Sequence, residues 1–110
     1  MVDTEELTVT EQQVLLAIMR LHPNAYGVGI RDEIRAQTGR DLSFGSIYAV
    51  LERLERRSLV SSRHGEPTAT RGGRRKLYFT INGAGQKALR ASLDALDSLR
   101  AGLGIEGAVA

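Results

Sequence analysis

The apolar spacing of this chain changes period once and then changes back. Up to about Arg57 the large apolar residues recur at three and four positions, the period of an amphipathic helix. From Leu59 to His64 they alternate weakly. From Arg75 to Ile81 they alternate clearly, with Leu77, Phe79 and Ile81 on one face and Lys76, Tyr78 and Thr80 on the other. After Asn82 the helical spacing returns. A helix-period pattern does not lie still as a half-buried strand, nor the reverse. The order is therefore helices, then a hairpin, then one more helix.

The helical part divides into three. The first helix spans about Glu11–Leu21, with Val14, Leu15, Ile18 and Leu21 on one face and His22-Pro23-Asn24 ending it. Thr10 with Gln13, and Thr8 with Glu11, both have capping-box spacing. The second helix covers about Gly27–Gln37 on an Ile30/Ile34 stripe, with Gly39 placed to end it. The third starts at Ser43, a good N-cap, buries Ile47, Val50, Leu51 and Leu54, and stops near Arg57-Ser58. Tyr26 is expected to pack between helices. The last helix is capped by Thr80 or Asn82 and carries Leu89, Leu93, Leu96, Leu99 and Leu103 as a stripe.

Length and composition bound the rest. At 110 residues the chain suits one domain, which buries roughly two-thirds of its unfolded surface. It has no cysteine, so disulfides and thiolate metal sites are excluded. No apolar run approaches the roughly 20 residues that span a bilayer. The acidic start, MVDTEELT, lacks the apolar region of a secretory signal. These points set the expectation of a cytoplasmic protein without a membrane role. The two histidines, His22 and His64, have no ligand cluster around them and no triad context, so neither a metal, nor a cofactor, nor an enzymatic role is expected. Gly83-Ala-Gly-Gln-Lys-Ala88 has the form of a dinucleotide fingerprint, but no second parallel strand with its acid follows. Those glycines instead suit close packing of the last helix.

The net charge of +2 conceals a strong asymmetry. Residues 1–25 carry −3, 26–55 carry −1, 77–110 carry 0, and the 21 residues 56–76 carry +6. Arg71, Arg74, Arg75 and Lys76 fall within six residues, beside Gly72 and Gly73. Such crowding costs stability unless an anion offsets it, and its local concentration is that of a polyanion-binding surface.

Three short helices bury their apolar faces only with a hairpin packed on their edge. Thr38-Gly-Arg-Asp-Leu-Ser43 is the short connection of a helix-turn-helix, with room for Leu42 to add a short strand to the hairpin. The fold class is mainly α with a small β-hairpin wing: a winged helix-turn-helix followed by a dimerisation helix. Residues 1–81 form the DNA-binding domain, with about the first eight disordered. Residues 82–110 form the C-terminal helix and a frayed tail. The third helix suits a major groove about 12 Å wide. Gly45, Ser46 and Ala49 allow close approach, Ser43, Ser46 and Tyr48 offer hydroxyls to phosphates, and Arg53 reaches a base or a phosphate. Glu52 accepts from a cytosine amine, or pairs with Arg53 or Arg56. On the wing, Arg71, Arg74, Arg75 and Lys76 meet phosphates or enter the minor groove. Leu99 and Leu103 lie beyond the reach of a three-helix body, which assigns Leu89, Leu93, Leu96, Leu99 and Leu103 to a homodimer contact.

AYGVGIRDEI, SFGSIYAVLERLERRSLV and GGRRKLYFTINGAGQKAL together resemble the PadR family of bacterial transcriptional regulators. The resemblance runs from about Val14 into the last helix. Gly45-Ser-Ile-Tyr48 stands where the family usually has Gly-Thr-Leu-Tyr, and Ser58 where it commonly has Gly. The resemblance implies a dimeric repressor that binds palindromic double-stranded DNA through the third helix and the wing. It leaves open both whether a small-molecule effector exists and what its chemistry is, because the C-terminal helix carries none of the aromatic residues with which such proteins capture flat ligands. An effector at the dimer interface would act by changing the separation of the two recognition helices. The competing expectation is a winged-helix interaction module that sets its basic wing on an acidic protein partner.

Overall fold

The computed structural model describes residues 6–66 and 76–105. Helix α1, Val9–Leu21, opens on a reciprocal cap. The Thr8 hydroxyl accepts from the Glu11 amide at 3.1 Å, and the Glu11 carboxylate accepts from the Thr8 amide at 2.8 Å. Of the two spacings in the sequence, Thr8/Glu11 is the one used. Leu7 is buried and Thr8 caps the helix. Residues 1–5 lie outside the described residues.

Strand β1, Ala25–Tyr26, leads directly into α2, Gly27–Thr38. Gly39 ends α2 at φ 79°, donating its amide to the Arg35 carbonyl at 2.8 Å. Helix α3, Phe44–Arg56, starts under the Ser43 cap. Strands β2, Val60–His64, and β3, Leu77–Ile81, form the hairpin, and α4, Gly83–Arg100, follows it. Asn82 caps α4: its side-chain oxygen accepts from the Gly85 amide, while its amide nitrogen donates to the Ser58 carbonyl, both at 2.8 Å.

The sheet has three antiparallel strands in the order β1-β3-β2. Here the structure corrects an expectation. The third strand is Ala25–Tyr26, paired with Phe79 and Tyr78 of β3, and not a segment at Leu42. The Leu42 carbonyl needs no strand partner, because Arg31 Nε donates to it at 2.7 Å. The Tyr26 backbone joins the sheet and its ring stands edge-to-face with Tyr78 at 6.0 Å between centroids, while the same ring also lies against Gly29 of α2, where a Cβ would meet it at 3.3 Å.

One apolar core joins α1, α2, α3 and the sheet through Val14, Leu15, Ile18, Ile30, Ile47, Leu51, Leu54 and Phe79. Leu89 of α4 enters it as well. α4 reaches the core only because Gly85 lacks a side chain: a Cβ there would overlap the Leu59 carbonyl oxygen. The helix ends at Arg100, short of Leu103, and Gly102 and Gly104 turn with φ of 79° and 76°. Among the described residues no helix is long and apolar enough to cross a membrane.

Candidate nucleic-acid interface

The four buried positions of α3 leave the opposite face to solvent. Ser43, Phe44, Gly45, Ser46, Tyr48 and Ala49 are all exposed. Ser43 Oγ accepts from the Ser46 amide at 3.1 Å and donates to Ser46 Oγ at 3.0 Å. A Cβ on Gly45 would meet only Ser43 Oγ, at 3.9 Å. The space above Gly45 is therefore open to an approaching molecule rather than filled by the protein.

Tyr48 is 50% exposed but held in place. Its ring covers Gly27, where a Cβ would come within 2.6 Å of the hydroxyl oxygen and 2.7 Å of ring carbons. Only glycine at the start of α2 accommodates this seat. The preceding residue, Tyr26, carries the Lys76 ammonium 4.4 Å from its ring centroid. Tyr78 packs edge-on against Tyr26, and the Arg63 guanidinium stands 4.9 Å from the Tyr78 centroid. Arg63 is fixed in turn by donating to the Pro23 carbonyl at 2.9 Å. The root of the wing and the exposed ring of α3 thus meet on either side of one dipeptide, Tyr26-Gly27. Lys76 and Tyr48, 28 residues apart in sequence, lie over adjacent residues, Tyr26 and Gly27. Arg71, Arg74 and Arg75 lie outside the described residues.

Arg53 takes a different place from its neighbours. Its Nε donates to Glu11 Oε2 at 2.9 Å, and Arg57 Nη1 reaches the same oxygen at 3.2 Å. Glu11 is 1% exposed, the only buried charged residue among those described. Burial pushes its carboxyl pKa up, but the Thr8 amide, the Arg53 hydrogen bond and the two guanidinium charges outweigh that and hold it below the usual value. The ion cluster ties α1 to the C-terminal half of α3. Arg53 is consequently not available to Glu52. From its spacing to Thr8, Glu11 reads only as a cap. The missed signal was its phase, since Glu11, Val14, Leu15 and Ile18 share one helical face.

Phe44 was also missed. It is 44% exposed, and the Arg31 guanidinium lies 4.6 Å from its ring centroid. On α4, Leu89 is buried in the protomer's own core and Leu93 half-buried against it, so the leucine stripe splits. Leu96, Leu99 and Leu103 are 54%, 77% and 65% exposed.

Known proteins fit this geometry. The fold matches a transcriptional regulator from Clostridium thermocellum at a TM-score of 0.69, with 21% identity over 82% of this chain and 84% of that one. It matches a PadR family regulator from Eggerthella lenta at 0.66, with 23% identity over 86% and 80% of the two chains. A PadR-like transcription factor from Bacteroides fragilis gives 0.67, with 22% identity over 83% and 82%. Identities this low show the fold alone. No curated protein matches the sequence. The profile of the transcriptional regulator PadR-like family matches residues 15–91, which takes in the core of α1, the whole of α3, the wing and the first half of α4. The chain belongs to the PadR-like family of transcriptional regulators.

Proposed function

We propose that the chain is a dimeric, sequence-specific DNA-binding repressor that reads a palindromic operator with α3 and grips the flanking backbone with its wing. One observation carries this reading. The small, open face of α3 and the seated Tyr48 adjoin the root of the most basic segment of the chain. Ser46 and Tyr48 offer hydroxyls to phosphate oxygens, and Gly45 and Ala49 admit the groove wall. Arg71, Arg74, Arg75 and Lys76 supply the charge that phosphates attract. Arg53 acts chiefly by holding α3 through Glu11. The exposed leucines of α4 pair with those of a second copy, which sets two α3 helices about one DNA turn, ~34 Å, apart.

The test is binding to the protein's own promoter DNA against scrambled competitor at two salt concentrations. Wild type is compared with Tyr48→Ala, Lys76→Ala and Arg74→Ala/Arg75→Ala. Tight binding that resists competitor is expected, with log K falling by about 0.9 per phosphate contact per decade of salt. Each substitution should weaken it, and those on the wing should also flatten the salt slope. The second reading, a module for an acidic protein partner, draws on the exposed rings of Phe44 and Tyr48 at one end of α3. It predicts equal, weak binding to every sequence.

A further inference from the structure

Phe44 is the first residue of α3 and has no part in the core. Nearly half of it is exposed, yet it does not hang free. The Arg31 guanidinium packs on one face of the ring at 4.6 Å. That guanidinium is pinned at two other points, through Nε to the Leu42 carbonyl at 2.7 Å and Nη2 to Asp41 Oδ1 at 3.0 Å. Arg31 is therefore a fixed backstop, its charge partly answered by Asp41, rather than a free cation awaiting a phosphate. The result is a rigid apolar plate beside the open space over Gly45, one helical turn before Tyr48. Holding the ring in place costs little further side-chain entropy on binding.

We infer that Phe44 is a specificity-determining residue that reads the C5-methyl group of a thymine in each half-site. This rests on the DNA-binding reading above. The chemistry of the groove favours that occupant. Base edges in the major groove present hydrogen-bond donors and acceptors, and the thymine methyl is the apolar exception. A phenyl ring forms no hydrogen bond with a cytosine amine or a guanine carbonyl, and would leave them desolvated and unpaired. Against a thymine it removes a methyl from water instead. One buried methyl corresponds to about a fourfold change in affinity.

The test begins with duplexes enriched by the wild-type protein from a random-sequence library. In an enriched duplex each thymine is replaced singly by deoxyuridine, which deletes only the methyl. Dissociation constants are then measured for wild type, Phe44→Ala and Phe44→Leu. The inference expects one position per half-site where uracil weakens wild type about fourfold. Phe44→Ala should be indifferent at that position, Phe44→Leu intermediate, and the salt slope the same for all three, because no phosphate contact is lost. Melting of the variants checks that each is folded. A uniform scan, a scan unchanged in Phe44→Ala, or an enriched half-site without thymine would overturn the inference while leaving the DNA reading intact. Failure of the wild type to enrich any sequence would overturn both.

Discussion

Ser58 has φ of 60°, the only positive value at a non-glycine among the described residues. Its left-handed turn lets the Leu59 amide return to the Leu54 carbonyl at 3.0 Å and aims the Ser58 carbonyl at Asn82. The backbone thus makes the turn that a glycine would make freely, with a Cβ in the way. Ser58→Gly should therefore stabilise the fold by about 1 kcal/mol, read as a higher urea midpoint with an unchanged slope. Glu11 supplies the opposite case. Removing its charge leaves Arg57, whose side chain is 10% exposed, facing a neutral group. Glu11→Gln should cost about 3 kcal/mol. Because the folded Glu11 pKa lies below the unfolded one, its contribution is present above the ordinary carboxylate pKa, 4.5, and fades as pH falls through the folded value. Urea titrations at pH 7 and pH 4 should show the gap between wild type and Glu11→Gln narrowing at the lower pH.

At the scale of elements, α4 is held at its first turn by two features. Asn82 caps it and bridges to the turn before β2, and Gly85 lets its backbone rest on Leu59. Backbone contact of this kind cannot be relieved by a rotamer change. Gly85→Ala should cost about 1–3 kcal/mol, although alanine is the better helix former. The Arg20–Glu33 pair, at 2.8 Å, and the hydrogen bond from Gln37 to the same Glu33 oxygen link α1 and α2 at the surface. The Arg20 bond, then the Gln37 bond, lower the Glu33 pKa. The buried cluster at Glu11 does the more consequential work of fixing α3 against α1, because water screens it less.

Over the whole molecule, the exposed leucines of the last helix stand apart from the core that Leu89 enters. Lys76, the described end of the basic segment, lies over the Tyr26 ring just before α2, and the exposed Leu96 and Leu99 lie in the last turns of α4. The molecule extends 55 Å in its longest direction and 22 Å in its shortest. An 18-residue helix is about 27 Å long, and α4 leaves the core after Leu93. A lone apolar stripe on such a helix gains stability only by meeting another. Leu96→Asp with Leu99→Asp should convert the proposed dimer to a monomer in sedimentation velocity, with little change in the melting of the protomer. Affinity for a palindromic duplex should fall steeply, while each half-site is still engaged by one α3.

The elements themselves were legible because their causes are local. The Thr8 and Ser43 caps, the Gly39 stop and the alternation of Leu77, Phe79 and Ile81 all act within a few residues. So were Gly45 and Ala49 as an open face, since period alone sets them opposite Ile47, Val50, Leu51 and Leu54, with Tyr48 on the flank. A two-residue strand has no period to read, so Ala25–Tyr26 emerged only from the free edge of β3 beside it. Sequence spacing cannot show that Glu11 meets Arg53 and Arg57, 42 and 46 residues away, or that Arg31 backs Phe44. Five leucines in one stripe look alike until the depth of the core decides between them: Leu89 falls within its reach, and Leu96 and Leu99 do not. Sequence determined the helices, the hairpin, their order and the place of the charge, because those follow from hydrogen bonds and periods along the chain. Tertiary structure decided which groups neutralise, support or bury one another, because that depends on distances in space that no local interaction specifies.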